Sequence, residues 1–66
     1  MEHFFVIFQV AKGPQTEIRK ISIARAEAAN KLLVRIGEER DKIREAQKQP
    51  VYVIQVMQLV DNPARS

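Results

Sequence analysis

Apolar residues crowd both ends of the chain and leave the middle to charge. From His3 to Ala11, Phe4, Val6, Phe8 and Val10 share one phase of a two-residue period, and Phe5 and Ile7 partly fill the other. From Val51 to Val60, Tyr52, Ile54, Val56 and Val60 oppose Val51, Val53, Met57 and Leu59. Period two sends successive side chains to opposite faces of a strand. Phe, Val and Ile also suit a pleated surface. Each end is therefore expected to be a strand that is apolar on two faces.

Between them the pattern changes. Lys12-Gly13-Pro14-Gln15 reads as a turn, because Pro14 cannot donate to a central ladder. Thr16 to Ile23 fits two patterns. As a strand it places Glu17, Arg19, Ile21 and Ile23 on one face, and Thr16, Ile18, Lys20 and Ser22 on the other. As a helix it aligns Ile18, Ile21, Arg25, Ala28 and Leu32. The β-branched density and the short preceding turn favour a hairpin strand, with a bulge to absorb its imperfect alternation.

From about Ala26 the period is helical. Ala28, Ala29, Leu32, Leu33, Ile36 and Ile43 mark an apolar stripe. Glu27 with Lys31, Arg35 with Glu39 and Glu38 with Lys42 stand at supporting i,i+4 spacing. Gly37 interrupts the helix at a cost of about 1 kcal/mol relative to Ala, and tolerance is the simplest reading of it. Pro50 ends the helix, because the residue before a proline is pushed out of the helical region. Asn62-Pro63 signals a turn into a polar tail.

The expected fold is thus α+β: a small three-stranded sheet in β-β-α-β order with one long helix packed on one face. Residues 1–60 form the single domain and 61–66 a flexible C-terminal tail. Pairing the last strand with the first places the most apolar strand in the centre. The helix then covers the Phe4-Val6-Phe8-Val10 face through Leu32, Leu33 and Ile36. The other face has no cover within the chain.

Size sharpens that point. A 66-residue chain buries only roughly 60% of the surface its unfolded form exposes. Small domains often add disulfides or metals, but this one has no cysteine. No apolar run approaches the ~20 residues of a membrane span. The start, Met1-Glu2-His3, lacks a basic signal-peptide region. These features set the expectation of a cytoplasmic protein that does not enter membranes.

Candidate chemistry is sparse. His3 is the sole histidine, and Ser22 and Thr16 have no evident base in the sequence. Glu38, Glu39, Asp41 and Glu45 interleave with Arg40, Lys42 and Arg44, which reads as a solvated, ion-paired face. Gly13 and Gly37 are the only glycines, so no phosphate-binding loop is present. Nothing calls for a cofactor or metal, and the chain is not expected to be an enzyme.

Two kinds of binding are left. The first is protein association, as a homo-oligomer (a dimer foremost) or on a larger protein, with Phe5, Ile7, Val53 and Met57 at the interface. On this reading Ile7→Lys weakens assembly and spares the monomer. The second is regulatory nucleic-acid binding, of the sort small viral or plasmid-borne chains perform. The formal charge of +3 allows it, with Lys12, Lys20, Arg25, Lys31 and Arg35 as phosphate contacts. The segment Gln15-Thr16-Glu17-Ile18-Arg19 resembles one in the small core linkers of cyanobacterial phycobilisomes, another short chain of strands around one helix. That family has a glycine pair where this chain has Gln49-Pro50, and no functional residue carries over.

Overall fold

The computed structural model describes residues 1–11 and 13–59. Lys12 of the expected turn, Val60 of the last strand and the 61–66 tail lie outside the described residues. The order is β1 (Glu2–Val10), β2 (Thr16–Ile23), a single 3-10 turn (Arg25–Glu27), α1 (Ala28–Gln47) and β3 (Val51–Leu59). The three strands form one sheet in the order β2-β1-β3. This is the α+β fold expected, with the most apolar strand in the centre. β3 pairs antiparallel with β1 and so runs in the same direction as β2, on the far side.

The hairpin resolves the ambiguous segment in favour of a strand. β2 pairs in regular register from Glu2↔Ile23 to Gln9↔Thr16, without a bulge. Ile21 and Ile23 are buried, whereas Glu17 and Arg19 lie on the same face further along the strand. Gly13 supplies the turn's positive φ of 113°, which an L side chain rarely adopts. The Gln9 amide nitrogen, Nε2, donates to the carbonyls of Val10, Gly13 and Gln15 at 2.9, 3.1 and 3.0 Å.

α1 lies on one face of the sheet. Ile36 and Ile43 are buried against Val6, Phe8, Val10, Ile21, Ile23 and Val51, and Ala28 and Leu32 pack at the margin. Burying a side chain such as Phe8 contributes about 1.5–3 kcal/mol. The helix opens on the 3-10 turn, in which the Glu27 N–H donates to the Ala24 carbonyl at 2.9 Å. It closes at Lys48, left-handed at φ 58°, whose N–H donates to the Arg44 carbonyl at 2.8 Å.

Leu33 departs from the expected core, being 81% exposed. A helix advances ~100° per residue, so Leu33 sits roughly 60° round from Ile36. Arg19 of β2 reaches Glu39 at 3.9 Å, which sets the Glu39 flank of the helix over β2. The opposite flank, with Leu33, Gly37 and Arg40, overlooks β3. Glu39 also receives Lys42 at 3.1 Å, and Arg35 pairs with Glu38 at 3.4 Å. Two expected i,i+4 pairs are thus replaced by i,i+3 pairs, while Glu27–Lys31 forms at 3.2 Å as the spacing suggests. Nothing lies within 4 Å of a Cβ built on Gly37, so no backbone of another element approaches it among the described residues.

Candidate interaction surface

β3 is an edge strand with one extra residue. Its register to β1 runs Val10↔Val51, Gln9↔Tyr52 and Phe8↔Val53, then shifts to Ile7↔Gln55, Val6↔Val56, Phe5↔Met57 and Phe4↔Gln58. Ile54 is the residue left over, a β-bulge. Paired residues share a face. Val51, Val53, Val56 and Gln58 therefore lie on the helix side, and Tyr52, Gln55, Met57 and Leu59 on the open side.

This corrects the grouping drawn from alternation. Val53 and Met57 are four residues apart and would share a face in a regular strand. The bulge between them puts Val53 beside Phe8 on the helix side, and Met57 beside Phe5 on the open side. Of the four residues expected at an interface, Phe5, Ile7 and Met57 share the open face. The bulge expected in β2 is in β3 instead.

All of β3 beyond Val51 is exposed. Tyr52, Val53, Ile54, Val56, Met57 and Leu59 are 39–57% exposed, on both faces. On the helix side Val53 and Val56 are 39% and 43% exposed, so the helix leaves this part of the strand uncovered. On the open face Phe5 and Ile7 are half-buried, and Ile18 of β2 is 59% exposed beside Ile7. The two edges differ in kind. β3 carries no charged residue, whereas β2 carries Glu17, Arg19 and Lys20. Charges on an edge strand discourage pairing with another chain, and an uncharged apolar edge invites it.

Among the described residues, most basic side chains stand beside an acid. Arg25 lies 3.8 Å from Glu2, Lys31 3.2 Å from Glu27 and Arg35 3.4 Å from Glu38. Lys20 is on the open face, opposite Phe5, and has no ion pair among the described residues. Arg19 points to the other face and binds Glu17 at 2.9 Å. Pairs this exposed add little to stability, but they place a carboxylate beside three of the five candidate phosphate contacts, Arg25, Lys31 and Arg35. A shallow cleft of about 660 Å³ at the end of the helix is lined by Arg40, Arg44, Lys48 and Tyr52. Its arginines also face acids: Arg40 is 3.7 Å and Arg44 3.2 Å from Asp41.

The hairpin brings together one pair that sequence order conceals. His3 Nδ1 and Ser22 Oγ stand 2.7 Å apart, directly across the β1–β2 ladder. A base thus does neighbour Ser22, contrary to the expectation from sequence. No acid orients the other nitrogen of His3 among the described residues; Ser22 borders an open cleft of about 570 Å³ with Glu27, Lys31 and Arg35, and His3 is not part of its lining. A nucleophile and base without an orienting group or an oxyanion site do not make up an acyl-transfer centre. Among the described residues no group of three or more His, Cys, Asp or Glu is arranged to hold a metal ion. No helix among them is long and apolar enough to cross a membrane.

No family model, curated protein or solved structure matches the chain. The surface must therefore be read from its own residues. Its chemistry is that of an uncharged strand edge flanked above and below by exposed apolar side chains.

Proposed function

We propose that this chain is a small, non-enzymatic interaction module that works in the cytoplasm by associating with itself. A single observation carries the reading. The edge strand β3 is exposed over eight of its nine residues and carries no charge, while the opposite edge is charged. A single helix covers one face of the sheet, and only part of that. The molecule measures 42 × 24 × 14 Å along its principal axes. Contiguous apolar surface of this kind marks a site of association.

Regulatory nucleic-acid binding is less well supported. It needs phosphate contacts, and Arg25, Lys31 and Arg35 each face a carboxylate of their own chain.

Sedimentation velocity over a range of micromolar concentrations tests the proposal. The expected result is a species of two chains that dissociates on dilution. A concentration-independent monomer throughout the range refutes self-association. A parallel titration with labelled DNA and RNA at two salt concentrations should show no salt-sensitive binding.

A further inference from the structure

We propose that two copies join along β3, antiparallel about a two-fold axis perpendicular to the sheet, in one register: Val53 opposite Val56 and Tyr52 opposite Met57 of the second copy. The result is a six-stranded sheet, β2-β1-β3-β3-β1-β2, with both helices on the same face. This rests on the self-association reading above and names its surface.

Three observations select a second copy as the occupant. The first is charge. A two-fold axis brings a strand against itself, so any charge near its middle meets its own like. Val51–Leu59 contains none, and β2, with adjacent Arg19 and Lys20, would suffer that repulsion.

The second is the bulge. In a regular strand, residues an odd number apart lie on opposite faces and cannot be partners across such an axis. Val53 and Val56 are three apart, yet the extra residue Ile54 sets both on the helix side. Tyr52 and Met57 are five apart, yet both lie on the open side. The proposed register thus matches faces at Val51 with Gln58, Tyr52 with Met57 and Val53 with Val56, with the Ile54-Gln55 steps side by side at the axis. Backbone groups agree as well. Along β1 they point toward β3 at alternate residues. Tyr52 and Met57, the partners of Gln9 and Phe5, are of one kind; Val53 and Val56, the partners of Phe8 and Val6, are of the other. Every pair in the register joins like with like.

The third is the apolar helix side of the strand. Val53 and Val56 are 39% and 43% exposed there, so the second copy continues this surface with its own pair. A stable interface buries about 800 Å² per partner, roughly a sixth of this molecule's 4978 Å². A strand edge alone is narrow, and the exposed apolar side chains on both faces of β3 supply added area.

Cysteine crosslinking tests the register directly, because the chain has no thiol of its own. Opposed residues of an antiparallel pair have Cα atoms about 4.5–5.5 Å apart, within disulfide reach. Residues 52 and 57 of one strand are too far apart to bridge, at ~3.3 Å per residue. The full-length Tyr52→Cys/Met57→Cys variant should therefore oxidise to a covalent dimer, and the off-register Tyr52→Cys/Gln55→Cys variant should not. Val53→Lys should weaken association tenfold or more with its far-ultraviolet circular dichroism unchanged. Ile7→Lys, which is disruptive if sheets pack face to face, should leave the dimer intact. A dimer that resists Val53→Lys, yields to Ile7→Lys and fails to crosslink at 52 and 57 overturns edge pairing while self-association stands. Crosslinking through 52 and 55 instead overturns the register. A native chain that stays monomeric overturns both.

Discussion

Gln9 illustrates how much one side chain can settle in a small hairpin. It is half-buried on β1, and its amide nitrogen faces three carbonyls of the β1–β2 turn. Gln9→Glu keeps the size and replaces the donor with an acceptor. Three carbonyls then face a carboxylate, and the expected loss is about 1–3 kcal/mol, read as a lower urea midpoint with an unchanged slope. Equal stability of the variant would show that water replaces the amide without penalty. This role was hidden in the sequence, where Gln9 is simply the polar break in an apolar run. The His3–Ser22 contact was hidden for the same reason. Its members are 19 residues apart, and only the hairpin register brings them together.

At the scale of the element, α1 separates residues that share its apolar stripe. Ile36 is buried and Leu33 is 81% exposed, because the sheet covers a narrower arc than the stripe spans. Ile36→Ala should cost about 2–4 kcal/mol. Leu33→Gln should change the stability of the monomer by no more than ~0.5 kcal/mol, as at other exposed positions. Equilibrium urea unfolding at a concentration where the chain is monomeric distinguishes them; equal losses would mean that Leu33 packs in the core. Gly37→Ala should raise stability by about 1 kcal/mol in the same assay, since an added Cβ meets nothing within 4 Å. A fall would reveal a neighbour to the glycine that a single chain does not contain. The strands and the helix were legible because their periods, two and 3.6, are distinct. β1 was clearest, with Phe4, Val6, Phe8 and Val10 in one phase. The bulge in β3 was not legible, because a shift of phase shows only where apolar and polar residues alternate. In Val-Tyr-Val-Ile-Gln-Val-Met-Gln-Leu both phases are apolar, so Val53 and Met57 seemed to belong together. Likewise the stripe of Leu32, Leu33 and Ile36 announced a helix without saying how wide an arc the sheet would cover.

Across the whole molecule, the contrast between the two edges governs how far assembly can go. If β3 is the self-association edge proposed above, an uncharged β3 opposite a charged β2 gives each chain a valence of one. In the proposed dimer two chains meet at their bare edges, and the outer edges of the pair both carry Glu17, Arg19 and Lys20. Growth stops there, because a closed two-fold contact leaves no bare edge to recruit a third chain. Stripping that protection should change the product rather than merely the affinity. The triple variant Glu17→Thr, Arg19→Thr and Lys20→Val is expected to elongate into fibres, seen as thioflavin fluorescence and by electron microscopy, where the native chain stays a soluble pair. Absence of fibres at concentrations that saturate the pair would show that charge is not what ends the array. On this view the three charges on β2 act as a terminator, setting the size of an assembly whose bonds are made at the other side of the sheet.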